Sequence, residues 1–256
     1  MDKDKEVWEN IWDKTEETLN YRDVFYLMDE IKLSYLIPLL PSGSDINILE
    51  VGCGSARLSC FLASKGYKTT CLDYSESALK VARKNYELTH NKGRFVVGDA
   101  KKLPFEDNSF DIVLSTGLLE HFKDPQIVIN EMTRVLKPEG IFYSDIVPKK
   151  FSTFRAHITF IRNLGKLMKR DGKDTFYEKK LNSRDIQNML QSADLKSINV
   201  FGAGVFLPQI PYGNQVPSLK RLEYNFLSKI KPLITVWDNT IIGELFGFYY
   251  FAYARK

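Results

Sequence analysis

From about residue 46 to residue 147, short apolar runs alternate with stretches of helical periodicity. This alternation restricts the possible folds more than any other feature of the 256-residue chain. Consecutive parallel strands need a crossover between them, and the crossover is usually a helix that lies on one face of the sheet. The pattern therefore predicts an α/β fold with helices on both faces of a mostly parallel sheet. The apolar runs predict five strands, over 46–51, 67–72, 94–97, 110–115 and 141–147.

The segments between the strands carry residue types that begin and end helices. Ser75 stands at the capping position of a helix predicted over 75–90. Asp124 and Pro125 are typical of an N-cap and a first helical residue, and the stretch 137–140 is expected to close that helix.

One interruption, over 149–180, follows the fifth strand, and a second, over 208–232, separates the last two predicted strands. Two further strands, over 195–201 and 248–254, raise the predicted number to seven. Apolar residues of the N-terminal segment, including Trp8, Trp12 and Phe25, are expected to be buried. The predicted organisation is an N-terminal helical segment (1–44), a core (45–147), a basic helical cap insertion (148–182) and the remainder of the core (183–256) with a second insertion at 207–245.

Charge and cysteine content exclude several classes of protein. The formal net charge of +4 is too small for a protein that wraps duplex nucleic acid by charge alone. It is unevenly spread, with 18 basic and 24 acidic residues (−6) in 1–147 and 18 and 8 (+10) in 148–256. Three cysteines without a Cys-x-x-Cys pair favour neither a disulfide framework nor a thiolate metal site, so no metal is predicted. The chain lacks a signal-peptide pattern and an apolar run of the roughly 18 residues that a membrane span needs, so we expect a soluble, cytoplasmic protein.

The segment 48–57 has the character of a strand, a glycine-rich turn and a helix start. Gly52 and Gly54 would let the backbone approach a ligand closely, and the helix that follows would present free N–H groups to it. A dinucleotide-binding turn needs a small residue where this chain has Arg57. Glu50 in the strand would not favour a pyrophosphate but would attract an ammonium or sulfonium group. A nicotinamide-dependent oxidoreductase is therefore the less favoured alternative.

Acidic residues also follow the second and third strands. Asp73 comes 21 residues after Gly52, at the place from which a carboxylate can accept hydrogen bonds from both ribose hydroxyls. Asp99 follows the third strand, where it could accept a hydrogen bond from the amino group of adenine. Together with Glu50, three carboxylates thus end adjacent strands. This row suits a ligand that contains an amine, a ribose and an adenine in series.

In the order of these motifs the chain resembles the class I S-adenosylmethionine-dependent methyltransferases. It is most similar to the type 11 subgroup, like the ubiquinone and menaquinone biosynthesis methyltransferases. The resemblance covers roughly residues 46–147. It rests on the turn Glu50 to Ala56 and on the motifs Leu72-Asp73-Tyr74-Ser75, Gly98-Asp99-Ala100, Leu103-Pro104-Phe105, Asp107-Asn108-Ser109-Phe110-Asp111, Leu118-Leu119-Glu120-His121 and Arg134 to Gly140.

The resemblance implies a seven-stranded Rossmann-like sheet whose last strand is antiparallel. It also implies S-adenosyl-L-methionine as the methyl donor and S-adenosyl-L-homocysteine as the product. Ala56 replaces the family's third glycine, which keeps the room for a ligand but restricts the backbone. The implied positions are Glu50, Gly52 and Gly54 at the methionine part, Asp73 at the ribose, Asp99 and Ala100 at the adenine, and Ser115 and Thr116 on the sulfonium side, with Cys53 and Tyr74 as further cofactor-binding positions.

A methyl acceptor must lie in line with the S–CH3 bond, and a hydroxyl or amine acceptor can also need a base. His121, just after strand four, is the candidate base, and a packing or capping role is the open alternative. Asp145 in strand five is a weaker candidate.

The acceptor is expected to be a small molecule, either anionic or lipid-like. Residues 149–180 carry ten basic and three acidic residues, with apolar residues at helical spacing. Such a helix could cover an anionic acceptor or rest on an acidic membrane surface as a peripheral contact. Nucleic acid is disfavoured as a substrate because the Asn-Pro-Pro-Tyr and Pro-Cys motifs of nucleic-acid methyltransferases are absent. A non-catalytic S-adenosylmethionine-binding protein is the alternative that stays open, and the sequence does not predict the oligomeric state.

Overall fold

The structure is a computed structural model of the chain. It describes residues 3–13, 15, 24–41, 43, 45–147, 149, 151–152, 177–205 and 217–256. Most of the basic helix expected over 149–180 falls at 153–176, outside the described residues, and so does the first part of the second insertion, at 206–216.

The described elements follow the predicted alternation closely. The helices are α1 (Lys3–Asp13), α2 (Val24–Leu36), α3 (Arg57–Ser64), α4 (Glu76–Leu88), α5 (Pro125–Val135), α6 (Ser183–Ser192), α7 (Pro217–Lys229), α8 (Lys231–Thr235) and α9 (Ile241–Phe246), with 3-10 turns at Ile37–Leu39 and Leu119–His121. The strands are β1 (Asn47–Val51), β2 (Lys68–Asp73), β3 (Arg94–Val97), β4 (Phe110–Thr116), β5 (Leu136–Ile146), β6 (Lys196–Ala203) and β7 (Tyr249–Arg255).

The seven strands form one sheet in the order β3-β2-β1-β4-β5-β7-β6. The first five strands in this order are parallel, and β7 runs antiparallel to both β5 and β6. The predicted Rossmann-like sheet with an antiparallel last strand is therefore confirmed. The chain leaves β1 toward β2 on one side and returns to β4 on the other. Ligands of open α/β sheets bind at such a switch point, outside the carboxyl ends of the strands.

Two predicted helix starts are confirmed by their capping contacts. The Ser75 side chain accepts a hydrogen bond from the backbone N–H of Ala78, and the Asp124 side chain accepts one from Gln126 ahead of α5. Each cap satisfies an N–H group that the first turn of a helix would otherwise leave without a partner.

The start of β5 was predicted wrongly. The stretch 137–140 was expected to close α5, but the helix already ends at Val135 and the strand begins at Leu136. Leu136 pairs with Phe110 of β4, and Glu139 donates its backbone N–H to the carbonyl of Lys256. Contacts with residues that are distant in sequence thus make the turn-like segment 137–140 part of the sheet.

Side chains on opposite faces of the sheet form two apolar clusters. One face packs Leu49, Val51 and Val113 against α5 and α6. The other packs Ile48, Ile112 and other residues against α2, α3 and α7. Because successive strand residues point to opposite faces, each parallel strand needs apolar residues on both sides.

The N-terminal segment is less buried than expected. Leu27 and Met28 of α2 are buried as core residues, but Phe25 is half-exposed. Trp8 and Trp12 of α1 are only partly buried. Among the described helices, none is long and apolar enough to cross a bilayer.

Candidate active site

A cavity of about 670 Å³ lies at the carboxyl ends of β1, β2, β3 and β4. Its volume is in the range of small-molecule binding sites. Nine of the ten candidate cofactor positions line it, and His121 lines it as well: Glu50, Gly52, Cys53, Gly54, Asp73, Tyr74, Asp99, Ala100 and Thr116.

The glycine-rich turn after β1 forms the floor of the cavity. Gly52 and Gly54 have φ of 65° and 51°, the left-handed region that favours glycine. A Cβ atom at Gly52 would come within 2.5 Å of the Leu118 side chain, and one at Gly54 within 2.6 Å of the Trp12 ring. Ala56 also has a positive φ, 54°, so the backbone keeps the left-handed form although glycine is replaced.

The Glu50 carboxyl lies in the wall of the cavity, with 1% of the residue exposed. Its Oε2 accepts a hydrogen bond from the backbone N–H of Ser59 at 3.2 Å, and its Oε1 accepts one from Thr116 Oγ1 at 3.5 Å. Burial raises the pKa of Glu50 to about 7, although the contact with Ser59 and the charge of Lys32 act in the opposite direction. A cationic ligand group would favour the ionised form.

Asp73 holds the turn after β2 to the turn after β1. Its Oδ2 accepts a hydrogen bond from the Gly54 N–H at 2.8 Å, and its Oδ1 accepts one from the Ser75 N–H at 3.0 Å. Burial raises its pKa, while these N–H groups and that of Tyr74 act against the rise. Each carboxylate oxygen can accept more than one hydrogen bond, so these contacts leave acceptor capacity for ligand hydroxyls.

Asp99 and Ala100 lie beyond the end of β3. The Asp99 carboxylate accepts a hydrogen bond from the Lys101 N–H at 2.9 Å and pairs with the Lys101 ammonium at 3.5 Å. About half of the Asp99 side chain is exposed. Its neighbour Ala100 is buried in the cavity wall. A planar ring could therefore lie beside Ala100 with a polar edge toward Asp99.

Ser115 is the one candidate position that does not reach the cavity. Its side chain is fully buried, and its Oγ forms a 2.9 Å hydrogen bond with Oγ of Ser144 on β5. Ser115 pairs in register with Val51, whereas Glu50 and Thr116 point to the opposite face. Strand alternation turns the Ser115 side chain away from the cavity, so the structure does not bring it together with the other nine candidate positions.

His121 is held in the wall of the cavity by two contacts. Its Nδ1 lies 2.9 Å from the backbone carbonyl oxygen of Tyr177, and its ring meets the Trp8 ring edge-on with centroids 5.0 Å apart. A hydrogen bond donated by Nδ1–H to a carbonyl fixes the tautomer in which Nε2 is the proton acceptor. This geometry is compatible with a base.

Two ion pairs that the sequence reasoning missed stand beside Glu50. Lys32 of α2 lines the cavity, and its Nζ lies 3.1 Å from the buried Asp145 carboxylate of β5. Burial alone would lower the pKa of Lys32, but the charge of Asp145 outweighs it and raises the pKa. Arg57 donates through Nε to the Asp29 carboxylate, and both of these residues also line the cavity.

Asp145 itself does not line the cavity in the described part of the chain. It is fully buried against Lys32, which does not suit the role of a base on a diffusing acceptor. The sequence does carry a signal for Lys32: it stands four residues after Met28 and four before Leu36, both buried, so helical spacing puts it on the inner face of α2.

The cavity residues fit S-adenosylmethionine. Gly52 and Gly54, with backbone conformations that favour glycine, bring the backbone of the turn after β1 to the cavity. Carboxylates lie in the last residues of β1 and β2 and just beyond β3, in the order that an amine, a ribose and an adenine would need. Next to Glu50, the Asp29 carboxylate could bind the ammonium group of an amino-acid ligand. The cationic side chains of Arg57 and Lys32 could bind its carboxylate.

Comparisons with known proteins agree with this reading of the fold. Residues 49–144 match the Methyltransferase domain family. Over 203 residues the chain is 24% identical to a ubiquinone biosynthesis O-methyltransferase of Coxiella burnetii, which covers 79% of this chain and 84% of the relative.

Solved structures show the same architecture. A S-adenosylmethionine-dependent methyltransferase of Thermotoga maritima aligns with a TM-score of 0.57 and 19% identity over 89% of both chains. A phosphoethanolamine N-methyltransferase of Haemonchus contortus, in complex with phosphomonomethylethanolamine and S-adenosylhomocysteine, aligns with a TM-score of 0.63 and 19% identity over 99% of this chain and 57% of that one.

The methyltransferase-domain match over residues 49–144, the sequence relatives and the fold together support a class I S-adenosylmethionine-dependent methyltransferase. Its curated sequence relatives include ubiquinone biosynthesis O-methyltransferases. The oxidoreductase alternative is set aside by this result.

Proposed function

We propose that the chain methylates an oxygen atom of a small anionic or lipid-like molecule that enters the cavity beside His121. The observation that carries this proposal is a single cavity that brings together three strand-end carboxylates and, next to them, a histidine among aromatic residues. Bound S-adenosylmethionine supplies a methyl group that its sulfonium already activates.

In this proposal, the donor is held along the strand ends. Glu50 and Asp29 face the amino group of the methionine part, while Lys32 and Arg57 face its carboxylate. Both kinds of contact are charge-assisted and shielded from water, which makes them stronger than the same contacts on a surface. Asp73 accepts hydrogen bonds from the ribose hydroxyls, and Asp99 accepts one from the amino group of adenine.

The acceptor occupies the part of the cavity next to Trp8, His121 and Tyr177. These residues form a continuous wall through the Trp8–His121 ring contact and the His121–Tyr177 hydrogen bond. Lys123 and Ile127 also line the cavity. A wall with aromatic faces, one histidine and one ammonium suits an apolar or aromatic body with an acidic hydroxyl.

The chain's own catalytic work is to align the acceptor and accept its proton. His121 Nε2 would accept the hydroxyl proton, with Nδ1–H held by the Tyr177 carbonyl, as the acceptor oxygen bonds to the methyl carbon and the electron pair of the broken S–CH3 bond leaves with S-adenosylhomocysteine. Oxygen is favoured as the accepting atom because the matched sequence relatives are O-methyltransferases. Positioning supplies the larger part of the rate because methyl transfer has a narrow approach direction.

Incubation with S-adenosylmethionine that carries an isotope-labelled methyl group tests the proposal. The acceptor pool is a cell extract separated into small molecules, lipids, nucleic acids and proteins, and mass spectrometry follows the label. We expect labelled product in the small-molecule or lipid fraction, in an ether or ester linkage, and far less with Asp73→Asn. Label confined to nucleic acid or protein would refute the small-molecule acceptor.

A calorimetric titration separates the remaining alternatives. We expect heat on binding S-adenosylhomocysteine and none with NAD. Tight binding of S-adenosylhomocysteine, together with no label in any fraction, would instead support a non-catalytic binding protein.

A further inference from the structure

The last three helices of the described chain expose an unusual amount of apolar surface. Of the fifteen exposed large apolar side chains in the described residues, eight fall within 222–246. Soluble proteins seldom concentrate such side chains without a partner for them. The eight, hereafter the apolar surface of α7–α9, are Leu222, Phe226, Leu233, Val236, Trp237, Ile241, Leu245 and Phe246.

The spacing of these residues shows that the helices point them outward. On α7, Leu222 and Phe226 are four residues apart and more than half exposed, while Tyr224 between them is buried. On α9, Ile241 and Leu245 repeat the four-residue spacing and are 70% and 55% exposed. Each helix therefore has an inner apolar face against the core and a second apolar face toward the outside.

The acidic residues of the same stretch are engaged on the inner side. Glu223 is buried. Asp238 accepts hydrogen bonds from the Gly204 N–H at 2.8 Å and from the Tyr35 hydroxyl at 2.6 Å. Glu244 accepts hydrogen bonds from the Ser183 and Tyr250 hydroxyls.

The exposed charges on residues 221–246 are basic. Arg221 and Lys229 of α7 are exposed, whereas Lys231 pairs with Glu30 of α2 at 3.4 Å. A surface that combines exposed Leu, Ile, Phe and Trp side chains with basic residues only is complementary to a negatively charged, apolar partner.

We propose that the apolar surface of α7–α9 inserts into the headgroup region of a membrane that contains anionic lipids. Trp237, with its amphipathic ring, would lie at the boundary between headgroups and acyl chains. The contact is interfacial, since none of the described helices could span a bilayer. This inference rests on the surface and does not depend on the identity of the methyl acceptor.

The charge pattern favours a membrane, rather than the chain's own insertion at 148–182, as the partner of the apolar surface of α7–α9. Phe151, where the insertion begins, meets Phe246 with ring centroids 6.0 Å apart, so the insertion leaves the core next to this surface. Residues 149–180 carry ten basic and three acidic residues. A segment with a net charge of +7 is repelled by the basic residues of this surface, whereas an anionic bilayer attracts them.

Sedimentation with vesicles of phosphatidylcholine and phosphatidylglycerol tests the proposal. We expect the full chain to sediment with these vesicles, less so with pure phosphatidylcholine and less so at high salt. The variant Ile241→Ser/Leu245→Ser should bind on the order of tenfold more weakly, since each serine removes apolar area from the contact. The matched control is Leu88→Ser/Val97→Ser, two exposed apolar residues on α4 and on edge strand β3 at the other end of the sheet, and it should bind as the wild type does.

The fluorescence of Trp237 supplies a second, independent readout. In a Trp8→Phe/Trp12→Phe background it is the remaining tryptophan of the three in the chain. We expect brominated lipids to quench it. Absence of sedimentation at low salt, equal binding by Ile241→Ser/Leu245→Ser and the wild type, or no quenching would overturn the proposal. A dimer in light scattering that the same variant abolishes would assign the surface to a second copy of the chain and would overturn it as well.

Discussion

Glu50 is an ionisable residue at a buried position, so we expect the binding of the methyl donor to depend on pH. Burial raises the pKa of Glu50 to about 7, and only the ionised form attracts a ligand ammonium group. The affinity for S-adenosylhomocysteine should therefore rise as the pH increases from 6 to 8, on the order of tenfold. The Glu50→Gln variant should bind more weakly at pH 8 and lose most of this dependence, as calorimetry at each pH would measure.

A matched variant separates Glu50 from other groups that titrate in the same range. Glu120 is also buried, with a pKa raised to about 8 by burial, but it does not line the cavity in the described residues. Glu120→Gln should leave the slope of affinity against pH unchanged. The assignment of Glu50 would fail if Glu50→Gln kept the wild-type slope.

His121 can be tested for a role as a base with a variant that preserves its contact to the Tyr177 carbonyl. In His121→Asn the side-chain amide can still donate near the position of Nδ1, but no nitrogen remains to accept a proton. We expect turnover to fall by about 10²- to 10⁴-fold, with the melting temperature and the affinity for S-adenosylhomocysteine unchanged. Turnover near the wild-type value would limit His121 to a structural role.

The residues of the cavity differ in how far the sequence predicts them. Glu50 and Asp73 were predicted because a strand followed by a turn fixes where the last side chains of that strand point. Ser115 could have been excluded by the same logic, since it neighbours Thr116 and strand residues alternate between faces. Lys32 and Trp8 come from helices that precede the sheet, and their docking depends on packing that local patterns do not encode.

Helix α1 closes one side of the cavity, and a charged side chain, Glu9, hydrogen-bonds it to the first turn of α4. The Glu9 carboxylate accepts hydrogen bonds from the backbone N–H groups of Glu76 and Ser77, at 2.8 and 3.1 Å, in the first turn of α4. Partial burial opposes ionisation, but these hydrogen bonds prevail and lower the pKa of Glu9. The positive end of the α4 dipole favours the same negative charge.

We expect Glu9→Gln to loosen α1 by about 1 kcal/mol. Amide hydrogen exchange of residues 3–13 should then be about fivefold faster, and S-adenosylhomocysteine should bind more weakly because Trp8 and Trp12 stay less often over the cavity. The control is Glu6→Gln, an exposed residue of the same helix, which should exchange as the wild type does. Equal exchange in the two variants would show that Glu9 does not anchor α1.

Local sequence signals predicted that a helix or strand exists better than they predicted the residues at which it begins and ends. Helix α5 was predicted at its start because Asp124 and Pro125 act within a few residues of each other. Its end was not, because Leu136 is drawn into β5 by Phe110, some 26 residues earlier in the chain. The apolar surface of α7–α9 was missed for a related reason, since residues that recur at helical spacing do not reveal which face meets the core.

For the whole molecule, the sheet's switch point explains both the position of the cavity and the buried charges around it. Parallel strands that end together bring carboxyl-bearing turns into one place, and helices on both faces then exclude water from them. The mostly parallel sheet follows from the alternation of strands and helices in the sequence, whereas the order of its strands is seen in the structure. The ion pair between Lys32 of α2 and Asp145 of β5 requires the assembled fold.

Glu120 makes the stability of the whole fold depend on pH in a direction opposite to that of most carboxylates. It is fully buried, its Oε1 accepts a hydrogen bond from the Val147 N–H at 3.0 Å, and burial raises its pKa to about 8. In the unfolded chain the pKa of a glutamate is about 4.3. Between these two values the unfolded state releases a proton that the folded state retains, so this residue's contribution destabilises the fold increasingly as the pH rises toward 8.

The Glu120→Gln variant should therefore be more stable than the wild type, because glutamine can accept the same hydrogen bond without a charge. Its melting temperature should exceed that of the wild type by a margin that widens from pH 5 to pH 8, with a stability gain on the order of a few kcal/mol at the upper end. Glu131→Gln serves as the control of opposite sign: the hydrogen bond from Arg134 lowers the pKa of Glu131, so its loss should destabilise the fold at neutral pH and matter less in acid. If the melting temperatures of Glu120→Gln and the wild type ran parallel across this range, Glu120 would be ionised in the folded protein and the assignment of its raised pKa would be wrong.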